Sequence, residues 1–180
     1  MLFNKNLPIA FDSKKSKFAL DNNASSALTM QTTIGQGNTL VSPLHMCMIA
    51  GAICNDGNLM RPYLVDHTEN ASGALVEQNK PASYKQIMSK DQAAFLQNLM
   101  AAVVSDGTGA KLSDQSYEPW KERNCQVSDS TDQTNAWFVG YGKKDGYNDL
   151  AIAVVVEDSG AGSTYAVPVA KKVFDKYFNE

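Results

Sequence analysis

The sequence contains little cysteine or histidine, and it has no long run of apolar residues. Its three cysteines and two histidines include no Cys-x-x-Cys pair and no Cys/His spacing typical of a zinc site. The longest strongly apolar run, Leu-Ala-Ile-Ala-Val-Val-Val near the C-terminal end, is far too short to cross a bilayer. We therefore expect no metal, no other cofactor and no membrane-spanning helix in this stretch.

An excess of either charge is also missing. Lys and Arg total 16 residues and Asp and Glu total 19, which gives a formal net charge of -3. Nucleic acids and anionic membrane surfaces attract strongly basic proteins, so the composition gives no reason to expect a nucleic-acid partner. Residues 1–20 are rich in Lys and Asn and lack the apolar core of a secretory signal. If the protein acts outside the membrane, we expect its export signal to lie on sequence outside this stretch.

The three cysteines give no disulfide pattern. Cys47 and Cys54 lie seven residues apart in a predicted helix, about two turns apart on one face and too distant to be bridged. We interpret these two residues, and Cys125, as free thiols that pack as small apolar side chains.

Two helices are marked by residues that favour helix ends. Ser42 is a good N-cap and Pro43 suits the first helical position. The helix that they begin should end at Asn55-Asp56-Gly57, because these residue types tolerate a left-handed conformation. Ser89 and Gln92 have the spacing of a capping box, which predicts the start of a second helix.

The segments beside these helices are less regular. Residues 1–33 contain short apolar islands but no long periodic element, so we interpret them as a polar loop. Leu59 to Val65 is predicted as a short strand, in which Pro62 favours an edge or irregular position.

The C-terminal third predicts a sheet covered by a helix. Two apolar segments, Ala136–Val139 and Leu150–Val156, flank a turn-rich sequence and predict an antiparallel hairpin. A final helix is expected from about Thr164 to Phe178, with Pro168 in its first turn and one apolar side. The residues of that side are Val169, Val173, Phe174 and Tyr177. Because the second strand is apolar on both faces, both faces of the sheet should be covered, one of them by this helix. The fold class is mixed α/β (α+β).

Three stretches, in order, resemble the class B penicillin-binding proteins. Residues 32–65 read TTIGQGNTLVSPLHMCMIAGAICNDGNLMRPYLV, similar to the family's I-G-Q-G loop, T-P-L-Q-M-A helix, N-G-G turn and R-P-x-L strand. Residues 103–112 read VVSDGTGAKL, similar to the G-T-G turn before the family's active-site strand. The stretch from NAWFVGYG onward is similar to the last two strands and the C-terminal helix. Apart from residues 115–130, nearly the whole chain resembles the family in order and spacing.

This resemblance implies a fold and a function. Residues 1–180 would be the C-terminal segment of a transpeptidase domain, with a partial penicillin-binding-protein/β-lactamase-like fold of antiparallel strands and a C-terminal helix. The intact parent would be a peptidoglycan D,D-transpeptidase that cross-links cell-wall peptides by an acyl-serine mechanism. It would bind the peptidoglycan stem peptide or a β-lactam at the extracytoplasmic face of the bacterial plasma membrane. There it would be membrane-anchored and would serve cell division or cell shape.

The family's reaction needs groups that this chain does not carry. A serine three residues before a lysine is the nucleophile, and a Ser-x-Asn loop assists proton transfer. No serine here is followed by lysine three positions later, and no Ser-x-Asn occurs. The resemblance implies that both motifs lie in a missing N-terminal half of the domain, which is then a partner of this segment. We therefore assign no catalytic residue and predict that the chain alone forms no acyl-enzyme.

The family's third motif, a Lys-Thr/Ser-Gly strand, is degenerate here. At its expected place, residues 117–127 read YEPWKERNCQV. The resemblance makes Lys121 the nearest equivalent of the motif lysine, with Glu122 and Arg123 in place of the hydroxyl residue and the glycine. An arginine would fill the groove where substrate approaches the strand, and Glu122 would repel a substrate carboxylate. Lys144-Asp145-Gly146 is a poorer candidate, because it lies in the predicted hairpin turn.

The peptide WKERNCQ has a second interpretation at the level of its codons. Codons that encode it, TGG AAA GAG CGG AAC TGC CAG, give Gly-Lys-Ser-Gly-Thr-Ala when they are read one nucleotide later. That string is the family's strand motif. We hypothesise that compensating frameshifts altered about ten residues near Trp120 to Gln126; the alternative is a loop that has diverged.

Other features leave two further functional readings open. A stand-alone, non-catalytic module that binds peptidoglycan or a division-machinery partner is the main alternative. An unrelated α/β extracytoplasmic binding domain fits the ordered motifs poorly.

His45 could be a general base, but we interpret it as a partly buried or surface helix residue. Trp137 and Phe138 are predicted to be core aromatics of a central strand.

Sequencing the DNA that encodes residues 117–127 tests the frameshift hypothesis. We expect an out-of-frame Gly-Lys-Ser-Gly in the coding strand, flanked by the two compensating changes. If no shifted frame encodes that tetrapeptide, the segment is a diverged loop.

Overall fold

A three-stranded antiparallel sheet, covered by a helix on each face, organises the chain. The structure is a computed structural model that describes residues 2–33, 35, 37–105 and 134–179, together with the backbone of residues 122–126. Its helices are α1 (Ser26–Thr33), α2 (Pro43–Cys54), α3 (Lys90–Ser105) and α4 (Gly162–Asn179). Its strands are β1 (Asn58–Arg61), β2 (His67–Glu69), β3 (Leu75–Gln78), β4 (Ala82–Gln86), β5 (Glu122–Gln126), β6 (Thr134–Gly142) and β7 (Leu150–Val156).

The sheet has the order β5-β6-β7, and both of its pairings are antiparallel. Trp137 of β6 lies opposite Val155 of β7 and opposite Arg123 of β5. On one face α2 packs through Ala50 against Trp137 and Val139. On the other face α4 covers Phe138, whose ring meets Phe174 edge to face at 6.2 Å between centroids. The predicted hairpin and the covering of both faces are confirmed.

The helix ends form as the sequence predicts. The Ser42 hydroxyl accepts a hydrogen bond from the His45 amide at 3.2 Å, and Pro43 is the first helical residue. Ser89 and Gln92 make the reciprocal capping-box bonds, at 2.9 Å and 3.2 Å. After α2, Asp56 and Gly57 both have left-handed backbone conformations. These local signals are reliable because each satisfies backbone groups that the helix itself leaves unpaired.

The N-terminal segment is held against α2. Leu2 and Leu7 are buried with Met48 of α2 in one apolar cluster. Asn4 has a left-handed backbone, and its side-chain amide both donates to the Phe18 carbonyl and accepts from the Phe18 amide, at 3.1 and 3.2 Å. The segment therefore has a defined path.

Several short elements were not predicted. Helix α1 lies within the supposed loop, and none of its residues is buried. The strand expected to extend to Val65 ends at Arg61, directly before Pro62, which has no amide hydrogen to donate. Two two-stranded ribbons follow, in which β1 pairs with β4 and β2 pairs with β3. Every residue of β2, β3 and β4 is exposed, so these strands lack a buried face that a sequence pattern could reveal.

Helix α4 differs from its prediction in its start and in the side that it buries. It begins at Gly162, so Pro168 lies inside the helix rather than in the first turn. Of the four residues expected on the buried side, Phe174 alone is buried, and Val169, Val173 and Tyr177 are exposed. The buried residues are Gly162, Ala166, Val167, Ala170, Phe174 and Phe178. Small residues on this side allow the helix to approach the sheet closely, and its two phenylalanines fill the remaining space.

Gly142→Ala should destabilise the protein by about 1–3 kcal/mol. A Cβ at this position would lie 2.7 Å from a ring carbon of Phe178 and 3.1 Å from one of Phe174, and both rings are fully buried. Urea unfolding followed by circular dichroism measures the change. The matched control is Gly51→Ala in α2, where the new Cβ would meet Ala151 at an ordinary 3.7 Å. That control should be neutral or slightly stabilising, and equal losses in the two variants would contradict the packing described here.

Candidate active site

The degenerate motif lies in a strand at the edge of the main sheet. Glu122 and Arg123 begin β5, where they pair with Phe138 and Trp137 of β6. Lys121, the proposed equivalent of the motif lysine, lies outside the described residues. The structure therefore places two of the three predicted site residues next to each other on a strand. It confirms that a strand occupies the region near residues 120–127.

The position of β5 is determined by its neighbour more than by its own residues. Its sequence, Glu-Arg-Asn-Cys-Gln, is poor in the branched and aromatic residues that favour strands. Its partner β6 is buried from Ala136 to Gly142. Phe138 is fully buried against α4, and Trp137 is buried on the α2 side. A well-anchored β6 thus offers a fixed hydrogen-bonding edge on which β5 can form.

The outer edge of β5 has the chemistry to bind an extended peptide. Among the described residues, no strand pairs with that edge. An open strand edge presents backbone amides and carbonyls that an extended peptide can pair with, and neighbouring side chains then select the peptide. An edge of this kind is suited to pairing with an extended peptide, and it does not by itself supply a nucleophile.

A buried serine of the N-terminal segment, Ser16, has a structural role. Ser16 is almost completely buried, and its hydroxyl accepts a hydrogen bond from the Ser42 amide at 3.1 Å. It therefore fixes the N-terminal segment to the start of α2.

Within the described ranges, no group of three or more His, Cys, Asp or Glu side chains could hold a metal ion. None of the helices in those ranges is long and apolar enough to cross a membrane.

Two lysines in the turn after β6 also have structural roles. The Lys143 ammonium lies 2.9 Å from the Asp149 carboxylate and donates to the Cys54 carbonyl at 3.3 Å. Lys144 donates to the Phe178 carbonyl at the end of α4. These contacts give the lysines of the turn structural partners, so Lys144-Asp145-Gly146 is a poor candidate for the substrate-binding motif.

The cysteines with described side chains are free, as expected. The Cys54 thiol donates to the Asp149 carboxylate at 3.3 Å. Burial, followed by that carboxylate, raises the pKa of Cys54 to about 12. Burial also raises the pKa of Cys47. Neither thiol is suited to be a nucleophile, because the thiolate is the reactive form. Cys125 lies in β5, outside the part of the chain with described side chains.

His45 is more deeply buried than its position on a helix indicated. Its side chain is almost inaccessible, and the ring of Phe3 meets it edge-on at 4.8 Å between centroids. Its Nδ1 atom has no hydrogen-bond partner within the described residues. Burial lowers the pKa of His45, so the neutral ring is favoured. This environment makes His45 a core residue rather than a general base.

Comparison with known proteins identifies the family. The profile of the penicillin-binding protein transpeptidase domain matches residues 3–175. The chain belongs to this family. Penicillin-binding protein 3 of Bacillus subtilis (strain 168) is 30% identical over 187 positions, which cover 96% of this chain and 26% of that protein. The peptidoglycan D,D-transpeptidase MrdA of Haemophilus influenzae is 28% identical over 84% of this chain and 26% of its own length.

Solved structures agree with this transpeptidase-domain fold. Penicillin-binding protein A from Mycobacterium tuberculosis superposes with a TM-score of 0.79 at 23% identity, over 98% of this chain and 41% of that chain. A peptidoglycan synthase complex gives a TM-score of 0.81 at 22% identity, over 99% of this chain and 31% of the other. The mixed α/β class and the partial penicillin-binding-protein fold are confirmed. The chain spans about a quarter of the length of the two curated relatives named above.

Lowering the pH should destabilise the protein through His45. A neutral buried ring means that the folded state binds a proton less readily than the unfolded state, whose histidine has a pKa of about 6.5. The contribution of His45 to the free energy of unfolding is therefore fully present above about pH 6.5. It is lost as the pH falls from about 6.5 toward the lower pKa of the folded state. Urea midpoints measured from pH 8 to pH 5 report the loss.

His45→Gln should reduce this pH dependence, because the amide does not titrate. Met48→Ala is the matched control, since it also changes a buried side chain of α2 but removes no titratable group. It should lower the urea midpoint and leave the slope between pH 7 and pH 5 close to that of the parent chain. Equal slopes in the His45 variant and in the parent chain would show that His45 is not the group responsible.

Proposed function

We propose that this chain is the C-terminal part of a peptidoglycan D,D-transpeptidase that cross-links cell-wall peptides through an acyl-serine intermediate. The observation that carries the proposal is the family match over residues 3–175 in a chain that spans about a quarter of its relatives. Neither Ser-x-x-Lys nor Ser-x-Asn occurs in the sequence. The nucleophile then belongs to preceding polypeptide, and this segment alone is inactive.

Strand β5 is the part of this segment that would face the substrate. Its edge position and its pairing with β6 suit a strand that binds an extended stem peptide or a β-lactam. Structures of Mycobacterium tuberculosis penicillin-binding protein A include acyl-enzyme complexes with imipenem and penicillin G, which supports a β-lactam as ligand. In this proposal Lys121, Glu122 and Arg123 occupy the Lys-Thr/Ser-Gly positions.

The replacements in that motif predict a low rate of acylation even in an intact parent protein. In the family's chemistry the hydroxyl residue and the glycine help to bind the substrate carboxylate and to line the oxyanion hole. Preorganised donors of this kind contribute roughly 10²–10³-fold in rate. On this assignment a carboxylate at residue 122 would repel an anionic substrate, and an arginine in place of the glycine at residue 123 would hinder the approach of substrate to the strand.

Three further assignments accompany the proposal. The partners are the missing N-terminal half of the domain and the peptidoglycan stem peptide, with no nucleic acid. The parent would work at the extracytoplasmic face of the bacterial plasma membrane, to which it would be anchored. Its role would lie in cell-wall synthesis during cell division or the maintenance of cell shape.

A non-catalytic module is the second candidate. The lack of the two nucleophile motifs and the replaced third motif favour a protein that binds peptidoglycan or a division-machinery partner without reacting. The DNA upstream of the first codon separates the two candidates. An upstream frame that encodes Ser-x-x-Lys and Ser-x-Asn supports the enzyme, whereas a promoter and an export signal of its own support the module.

Fluorescent penicillin should not label the isolated chain, because its sequence contains no Ser-x-x-Lys motif to supply an activated serine. In a fusion that places the upstream transpeptidase half of Bacillus subtilis penicillin-binding protein 3 before residue 2, labelling should be weak. Glu122→Ser combined with Arg123→Gly should then raise the labelling rate by roughly tenfold or more, as measured by gel fluorescence over time.

Glu77→Ser is the matched control, because Glu77 is an exposed strand residue of a separate ribbon. It should leave labelling unchanged. Stoichiometric labelling of the isolated chain would overturn the proposal of inactivity. An unchanged rate in the double variant would count against the assignment of residues 121–123.

A further inference from the structure

The N-terminal segment is basic, although the chain as a whole is mildly acidic. Residues 1–20 contain one acidic residue and four lysines, which are Lys5, Lys14, Lys15 and Lys17. Their formal charge is +3, whereas residues 21–180 carry 12 Lys and Arg against 18 Asp and Glu, a formal charge of -6. The net charge of -3 is therefore the sum of a basic first segment and an acidic remainder. A local surface of this kind can attract a partner that the average composition does not indicate.

The four lysines have no acidic partner in the part of the chain that the structure describes. All four side chains are exposed, and none of them belongs to an ion pair there. By contrast, Lys90, Lys143 and Lys171 each contact an Asp carboxylate at 3.1 Å or less. The ammonium groups of the first segment are thus available to an anionic partner.

Backbone contacts hold this basic segment in a defined arrangement. Lys17 and Leu40 exchange two backbone hydrogen bonds, at 2.7 and 2.9 Å, in an antiparallel bridge. Directly opposed residues of such a pair have their side chains on the same face, so Lys17 lies beside Leu40. The Asn4 amide donates to the Ser16 carbonyl at 2.7 Å. This bond places the neighbouring Lys5 next to the same stretch of chain.

Exposed apolar side chains accompany the lysines. Phe11 is 45% exposed and Leu40 is 60% exposed. Segments that bind at the surface of an anionic bilayer combine the same two kinds of side chain. Their lysines are attracted to the headgroups, and their apolar side chains enter the boundary between headgroups and acyl chains. We call this set the lysine surface, and its members are Lys5, Phe11, Lys14, Lys15, Lys17 and Leu40.

We propose that the lysine surface binds the headgroups of an anionic phospholipid bilayer. Its charges are all lysines, whose ammonium groups act as point charges. They suit attraction to a layer of many headgroups better than bidentate recognition of one phosphate, for which arginine is preferred. The inference goes beyond the proposed function, and it rests on that function only in that an anchored parent has a bilayer close by.

A soluble polyanion fits the lysine surface less well than a bilayer does. A hydrophilic chain of phosphates would neutralise the lysines but would leave Phe11 and Leu40 in water. A bilayer accepts both kinds of side chain, because its headgroup layer borders hydrocarbon. The apolar members of the surface therefore favour the bilayer as occupant.

Sedimentation of the isolated chain with lipid vesicles tests the proposal. At low salt, the chain should bind vesicles made from one part phosphatidylglycerol and two parts phosphatidylcholine, and it should not bind vesicles of phosphatidylcholine alone. In about 1 M salt, where the screening length is about 3 Å, the binding should be lost. The measured quantity is the partition coefficient between vesicles and solution.

Lys14→Gln combined with Lys15→Gln should lower the partition coefficient roughly 20-fold, since each lysine near an anionic surface contributes roughly fivefold. The matched control is Lys80→Gln combined with Lys85→Gln, which removes the same charge from exposed lysines outside the lysine surface. It should change the coefficient less than about twofold. Phe11→Ala, which changes no charge, should lower the coefficient several-fold. Circular dichroism verifies that each variant is folded, as expected for substitutions of exposed side chains.

A parent chain that does not bind the anionic vesicles, or equal losses in the two lysine pairs, would overturn the inference. Binding that long-chain polyphosphate displaces and that Phe11→Ala leaves unchanged would identify a soluble polyanion and overturn the choice of a bilayer. Penicillin labelling of the fusion is a separate readout. A fusion that binds vesicles but does not label contradicts the proposed function alone, whereas one that labels without binding vesicles contradicts the lysine surface alone.

Discussion

The burial of α2 between the sheet, the N-terminal segment and α3 is the contact on which the rest of the structure depends. This one helix takes part in three apolar clusters: with Leu2 and Leu7, with Met100 of α3, and with Trp137 of β6. Such contacts are possible on all sides because the helix is rich in small residues. Gly51 leaves its backbone close enough to β7 that an added Cβ would be in van der Waals contact with Ala151. Because α2 is packed against three parts of the chain, it fixes the positions of β6 and β7.

The packing of α2 also determines the position of the candidate site, although α2 acts through β6 rather than directly on β5. Helices α2 and α4 hold β6 between them, and β6 offers its edge to β5. The polar sequence of β5 contributes little strand preference of its own, yet the strand forms. A scaffold that positions β5 through its neighbour can retain its shape when the residues of β5 change. The fold is therefore partly independent of the residues of β5, since this strand keeps its place in the sheet although Glu-Arg-Asn-Cys-Gln is poor in residues that favour strands.

Sequence reasoning succeeded where local chemistry decides the structure. Ser42 and Ser89 begin helices because their hydroxyls satisfy backbone amides, and no distant contact is needed for that. The predictions from sequence failed for elements that have more than one apolar side and for elements that have no buried side. In α4, both the side with Ala and Phe residues and the side with Val and Tyr residues are apolar enough to pack on the sheet. The shape of the sheet determines that the side with Ala and Phe residues is buried. The ribbons and α1 have no buried side, so periodicity could not reveal them. The strand of the candidate site was located by its resemblance to a family, since Glu-Arg-Asn-Cys-Gln would not be assigned to a strand by propensity.

The surroundings of Cys54, which include Asp149 and Lys143, affect how readily its thiol is oxidised. Burial, followed by the Asp149 carboxylate, raises the pKa of Cys54 to about 12, so the thiol stays protonated at neutral pH. Oxidants such as peroxides react with the ionised form, so sulfenic acid formation at this position is strongly suppressed. The same side chain that joins the end of α2 to the start of β7 is thereby kept in its reduced state. The burial and the neighbouring carboxylate that keep Cys54 protonated therefore also protect this unpaired cysteine from oxidation.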